Sequence, residues 1–537
     1  MNGRQCSFML SWWLGFVLCC ILPWVTTTEP NCPFASGFEE PEICLEFLMN
    51  KFSNLKQVID SIGENLLERI NVLGSISQET NNRVLNRPFL SSANKRAAKY
   101  IEKLLYEAGC SNVAIDWVGN VIGLYKGTPE RNKTLIIGSH YDTVKDAGKY
   151  DGAYGVLVAI SVVEALFKLK VVLPFDIQIV AFENEEGNNN FGVVHTGALF
   201  YMAGSMAKRN GTRRKCYHML KKQLRRPNII NPKETLADYI LAQSMDNNVF
   251  SLSEDNCNTI IKYFCEDYPF AVDHRVLGYW EWHIEQGPIL EHFNKRIGIV
   301  SAICGQQRWT FHVKGQGGHA GTVPMYLRKD AVAACVEMIQ QVENITKNAL
   351  SGKNDSQYLV STVGNISVSP GSSNSIPHLC SFSLDIRSVS DQQGSNVTNQ
   401  IMQRFKEIAK QRKVKVSYEQ LHNTKTIEME SGWSQQIIQR GAYLSIQFYT
   451  DQKWFSWLRQ KFDKLWLFRS DVLIPTLVSG AGHDAVILHD LYDTQMMFIR
   501  CKNGISHHPN ELASKEDMLA GATTLLFSLM IFANFSS

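Results

Sequence analysis

Two short apolar runs, KTLIIG at 133–138 and FDIQIVAF at 175–182, each break into polar residues at their carboxyl ends, as SHYDTV and ENEEG. Runs of this length, rich in branched residues and closed by glycine, read as strands. Between them GVLVAISVVEALFKL, 155–169, is apolar on every side and reads as a buried helix. Strand, helix and strand in that order specify an α/β fold with a largely parallel sheet. Such sheets place ligands beyond the carboxyl ends of their strands. His140, Asp142 and Asp151 follow the first strand, and Glu183, Glu185 and Glu186 follow the second.

The flanking chain extends this pattern. LEFLMNKFSNLKQVIDSIGENLLERI and SSANKRAAKYIEKLLYEAG have helical periodicity, with Ser91 or Ser92 as N-cap and Gly109 as C-cap. From residue 303 the texture changes. QRWTFHVKG, a helix at 326–346, YLVSTVGNISVS, HLCSFSLDIRSV, a second helix at 395–414 and KVSYEQL give β-α-β-β-α-β order, the ferredoxin-like unit. The sequence therefore divides into a first part at 45–302, an inserted unit at 303–418 and a return to the first domain at 419–537.

The N-terminus, FMLSWWLGFVLCCILPWV followed by TTTEPNC, has the layout of a secretory signal over 1–28, the alternative being an uncleaved anchor. Seven N-x-S/T sequons, at Asn132, Asn210, Asn344, Asn354, Asn365, Asn396 and Asn534, agree with passage through the endoplasmic reticulum or secretion. Asn365 falls in a strand-like run and reads as a chance match. Cys32 with Cys44 and Cys257 with Cys265 are candidate local disulfides; buried free thiols are the alternative. The apolar C-terminal stretch reads as a packed final helix, so no stable membrane span is expected once the signal is removed. A net charge of +3 gives no support to nucleic-acid binding. The nine Lys and Arg of 208–227 read as a solvated surface insertion, with steering of anionic ligands as the functional alternative.

Two further clusters complete the chemistry: His283 and Glu285 in EWHIEQGP, and His483, Asp484, His507 and His508 in SGAGHDA and GISHHPNE. Imidazole with carboxylate suits zinc or manganese. A carboxylate has two oxygens and can serve two cations about 3.5–4 Å apart, which together activate a water. Adjacent acids in an extended chain point different ways. One of Glu185 and Glu186 can therefore bind metal while the other handles protons.

GSHYDTV, GKYDGAYGV, ENEEG, HIEQGPILE, GQGGHAGTVPM, NSIP, LDIR, SGAGHDA and GISHHPNE, in this order from about residue 50 to the C-terminus, resemble the M20-type amidohydrolases of ureido compounds. These are allantoate, ureidoglycolate and N-carbamoyl amino acid amidohydrolases; DAGKYDG and GHAGTVPM look most like the plant-type allantoate enzymes. The resemblance implies a zinc-peptidase-like catalytic domain interrupted by a ferredoxin-like lid and dimerisation domain. It implies two divalent ions per subunit, Mn2+ or Zn2+, with His140, Asp151 and His283 holding one and Asp151, Glu186 and His507 the other. Here His508 is the rival to His507. Asp142 would orient His140, and Glu185 would be the general base. His319 would enter the partner's site in a homodimer and stabilise an oxyanion. Asn374 and Arg387 would hold the carboxylate of a small ureido acid, with Gln306 and His483 at its ureido end. HIEQGP argues against the aminoacylase and dipeptidase branches, which carry a carboxylate where this chain has His283. With every expected position filled, a non-catalytic binding glycoprotein is disfavoured. Three departures stand out: NNNFGVVHTGA replaces the family's Arg-Phe pair and leaves His195 without a role, 205–275 is long, and 440–470 is unlike the family.

Overall fold

The computed structural model describes residues 45–535 apart from 46–47, 80–83, 129–132, 188, 210–211, 245–254, 273–274, 352–357, 430–431 and 450–473. The signal at 1–28, the Cys32–Cys44 pair and most of 440–470 lie outside the described residues.

The chain opens with helices α1 (Leu55–Ser75) and α2 (Ser92–Glu107), the latter capped by Ser91, whose side chain accepts from the Asn94 amide. Strands β1 (Ser111–Ile115), β2 (Val121–Tyr125) and β3 (Lys133–His140) follow, then α3 (Ala153–Lys168) and β4 (Asp176–Phe182). Helices α4 (Thr196–Ala207), α5 (Arg213–Leu224), α6 (Leu236–Ser244) and α7 (Asp255–Lys262) precede β5 (Arg275–Ile284) and β6 (Ile297–Ile303). The inserted unit holds β7 (Gly305–Lys314), β8 (Gly318–His319), α8 (Ala331–Leu350), β9 (Leu359–Thr362), β10 (Ile366–Ser369), β11 (Ser375–Ile376), β12 (Leu379–Ser388), α9 (Asp391–Gln411) and β13 (Lys415–Thr424). The chain returns through β14 (Ile427–Glu428), α10 (Trp433–Tyr449), β15 (Thr476–Ser479), β16 (Thr494–Ile499) and α11 (Lys515–Phe535).

The larger sheet has the order β1-β2-β4-β3-β5-β16-β6-β14, with β15 also on β6. Its centre is parallel: β3 pairs with β4 and β5, and β5 with β16, all in parallel. The strands carrying the polar clusters are these parallel ones, so their carboxyl ends share one edge. α3 is buried nearly all round, packed between β3, α1 and α11. Its apolar circumference is what such a position demands. α11 contains a 19-residue stretch of mean hydropathy 1.4 that is 89% buried, packed on α10, α3 and α1. It is the packed helix that the sequence implies. The smaller sheet, β10-β12-β7-β13 with β9 also on β12, is antiparallel, and α8 and α9 bury its core of Phe311, Phe382 and Phe405. Asn365 lies in the exposed turn between β9 and β10 and not inside a strand, which keeps it open as a sequon.

One expected disulfide is corrected. Cys265 pairs with Cys216, 49 residues away, and Cys257 is free. Cys216 sits on the buried face of α5, and the wide π-helical turn at Tyr263–Asp267 brings Cys265 against it. The bridge ties the basic helix to the segment entering β5. Arg213 also pairs with Glu266, and most other cations of α5 face solvent.

Candidate metal-dependent active site

Each parallel strand delivers one piece of the site. His140 is the last residue of β3, and His283 lies next to last in β5. Glu185 and Glu186 follow β4 after Asn184, whose φ of 57° turns the chain. The Asn184 amide donates to Thr196 Oγ1 at 2.6 Å and Val193 O at 3.2 Å, which pins that turn. Asp151 precedes Gly152 (φ 62°), where a Cβ would fall 2.4 Å from the His140 ring. Only glycine lets the backbone pass this close. His507 also has positive φ, 55°, on the loop after β16.

These side chains converge on Asp151. Its Oδ1 is 3.2 Å from His283 Nε2 and 3.8 Å from His140 Nε2. Its Oδ2 is 3.0 Å from His507 Nε2, which is 3.3 Å from Glu186 Oε1. The ring of His283 is set by Nδ1, which donates to Ile284 O at 2.8 Å and leaves Nε2 facing Asp151. His508 instead accepts from the Asn510 amide at 3.1 Å on the exposed surface, so His507 is the residue brought to the cluster. Burial pushes the Asp151 carboxyl up, but the imidazoles of His283, His507 and His140 around it outweigh this and hold it well below its ordinary range. Burial raises the Glu185 carboxyl well above the usual carboxylate range.

Asp142 has a wider part than the sequence implies. Its backbone carbonyl is 3.2 Å from His140 Nδ1, with Oδ1 at 3.6 Å. Its carboxylate accepts from the amides of Glu185 at 3.0 Å and Glu186 at 3.2 Å. It thus orients the imidazole and fixes the acidic turn together. Glu511, not singled out by sequence although it lies in GISHHPNE, accepts from the amides of Tyr150 at 2.9 Å and Asp151 at 3.0 Å. Gln286, in HIEQG, donates to Asp151 Oδ2 at 2.9 Å.

The cluster floors a cleft of about 410 Å³ whose far wall comes from the inserted unit. Gln306 and Arg387 line it, together with Arg308, which sequence reading did not pick out. Arg387 is already engaged: its Nε and Nη2 bond Asp385 at 3.1 and 2.9 Å, and Nη1 donates to Gly480 O at 2.7 Å. Period-two geometry in β12 puts Asp385 and Arg387 on one face. The Nε–Nη2 fork is therefore taken by Asp385, and a substrate carboxylate held there would meet the remaining N–H groups of Nη1 and Nη2 on a guanidinium whose orientation Asp385 fixes. Arg226, from the basic insertion, donates to Gly192 O at 3.1 Å and also lines the cleft. His483 does not reach the cleft wall. It is buried, edge-on to His283 at 4.6 Å, with Nε2 2.8 Å from Ser479 Oγ, so it packs behind His283. His319 and Asn374 lie together on the β8–β11 ribbon, where Ala320 donates to Asn374 O at 2.9 Å, and neither lines this chain's cleft.

The donor set fits divalent cations. Ligand atoms of His140, Asp151 and His283, and those of Asp151, Glu186 and His507, lie within 4.8 Å of one another. Glu185 groups with His140 and Glu186 in the same way. Asp151 Oδ1 is buried without a hydrogen bond among the described residues, a costly state unless a cation takes the lone pairs.

Imidazoles and mostly buried carboxylates gathered at the carboxyl edge of a parallel sheet, under a cleft closed by a second α+β unit, define an α/β metal-dependent hydrolase. Residues 136–530 match the model of peptidase family M20/M25/M40. The chain is 32% identical over 533 residues to allantoate deiminase 1 of Glycine max, covering 95% of this chain and 97% of that one. It is 31% identical to an N-carbamoyl-L-amino-acid amidohydrolase of a Pseudomonas species, over 87% of this chain and 97% of that one. A hydantoinase/carbamoylase family amidase from Burkholderia multivorans superposes with a TM-score of 0.65 at 25% identity, covering 87% of this chain and 97% of that one. The chain belongs to the M20/M25/M40 family, in its amidohydrolase branch, and is a metal-dependent hydrolase of C–N bonds.

Proposed function

We propose that this chain hydrolyses allantoate to ureidoglycine, ammonia and carbon dioxide. The observation that carries the reading is the pairing, in one cleft, of the Asp151-centred donor set with the guanidinium wall of Arg308 and Arg387. A ureido carbonyl needs the first and a carboxylate the second. His140, Asp151 and His283 would hold one divalent ion, and Asp151, Glu186 and His507 the other, zinc or manganese. When bound, such ions supply Lewis acidity and lower the pKa of water. Glu185 takes the proton from the attacking water and returns it to the leaving nitrogen. Gln306 is placed to contact the ureido end and Arg387 the carboxylate. The relatives named for allantoate and N-carbamoyl amino acids support the substrate class, and the latter keep an N-carbamoyl amino acid as the second reading. Ammonia release from allantoate, ureidoglycolate and N-carbamoyl-β-alanine, with added manganese or zinc, tests it. Allantoate is expected to give the highest kcat/KM, and preference for either rival would replace it.

In the same reading the chain is a homodimer in which His319 completes the partner's site. Mixing a His319→Ala chain with a Glu185→Gln chain is then expected to restore part of the activity that each lacks alone; a mixture as inactive as its components would remove His319 from that role. The buried Cys216–Cys265 bridge and the exposed sequons at Asn344, Asn365 and Asn396 support a secretory route. A protein made in secretory cells that shows no mass shift on endoglycosidase treatment, with both cysteines alkylatable, would count against it.

A further inference from the structure

The loop that replaces the family's usual Arg-Phe pair places an imidazole beside the proton-handling carboxylate. His195 Nδ1 lies 3.2 Å from Glu185 Oε1. The two are in reach but off the hydrogen-bond line, since Nδ1 is buried without an aligned partner among the described residues. The His195 side chain is 15% exposed and lines the cleft, so its open edge is not the Nδ1 edge. The other ring edge passes Gly482, where a Cβ would sit 3.4 Å from Nε2, and the Gln306 amide converges on the same glycine.

The backbone holds this arrangement at a cost. His195 has φ 51°, a conformation uncommon for a residue with a Cβ. Its amide donates to Glu185 O at 3.3 Å, and those of Thr196 and Gly197 to Asn184 O at 3.2 Å and Glu183 O at 2.7 Å. The segment 195–197 is therefore laced to 183–185, the segment that carries the base. Strain persists where surrounding structure over-determines it, and it concentrates at functional sites.

We propose that His195 contacts the substrate: Nδ1–H faces Glu185 Oε1, and Nε2 accepts a hydrogen bond from the terminal N–H2 of the ureido group. The inference rests on the ureido-acid reading. A urea headgroup presents N–H donors that need an acceptor inside the cleft, and Nε2 is such an acceptor once Nδ1 carries the ring proton. With Oε1 turned to His195, Oε2 of Glu185 remains on the His140 side, 3.9 Å from that ring. Burial, with His140, His422 and Arg308 nearby, lowers His195 to about 4, in keeping with a neutral ring.

The test compares an N-carbamoyl amino acid with its N-formyl analogue, which lacks the terminal N–H2, as substrates or as competitive inhibitors. His195→Phe keeps a ring and removes both nitrogens; His195→Asn tolerates the positive φ and guards against a folding artefact. Metal content and thermal stability of the metal-loaded protein are measured alongside. The wild-type preference for the carbamoyl compound is expected to fall about tenfold in both variants, the worth of one hydrogen bond, with the metal content unchanged. Equal losses on both compounds would reduce His195 to a support for Glu185 and overturn the contact. Loss of metal in both variants would overturn it too. A wild-type protein inert toward every ureido acid but active on N-acyl compounds would instead remove the functional reading, and this inference with it.

Discussion

Asp151→Asn is expected to strip the protein of both divalent ions and of its turnover. Both oxygens of Asp151 are in use, Oδ1 toward His283 and His140 and Oδ2 toward His507. An amide keeps the shape but loses the charge, and it turns an N–H2 toward one of these nitrogens. Removing one preorganised charge-stabilising group costs roughly 10²–10³ in turnover. Asp151 serves both ion positions, so the loss should exceed that range. Elemental analysis is expected to fall from about two ions per chain to a small fraction of one. Ligand-linked stabilisation disappears with them, so the melting temperature should stop responding to added manganese or zinc. A variant that keeps two ions and most of its activity would show that Asp151 does not join the positions.

Glu185→Gln should separate chemistry from binding. The carboxylate is not needed for either of the two donor groups centred on Asp151. The backbone amides of Glu185 and Glu186 stay bonded to the Asp142 carboxylate whatever the side chain, so the substitution leaves the acidic turn in place. The variant is expected to retain its metal and substrate affinity and to lose roughly 10²–10⁴ in kcat, the usual worth of a positioned general base. A fall in metal content alongside kcat would mark Glu185 as a ligand, in line with its second proximity group with His140 and Glu186. Activity within tenfold of wild type would place the base elsewhere.

Much of this was legible before any coordinates. The strand ends of TLIIGSH and IQIVAFENEE announce themselves by an abrupt change from apolar to ionisable residues. α3 and α11 are readable because helices apolar all round must be buried. Alternation along β12 puts Asp385 and Arg387 on one face, but their ion pair and its consequence for substrate binding appear only in the structure.

What the sequence by itself determined is therefore local: which segments are strands, which residues stand at their ends, and which chemistry those residue types suit. The tertiary structure decided who meets whom. Packing put Cys265 on Cys216 rather than on nearby Cys257, set His483 behind His283 rather than in the cleft, and chose His507 over His508. It also brought His195 to Glu185 and Arg226 into the lining of the same cleft. Periodicity constrains the face a side chain takes on its own element. The partner across a gap depends on the packing of elements far apart in the chain, and no local pattern carries that information.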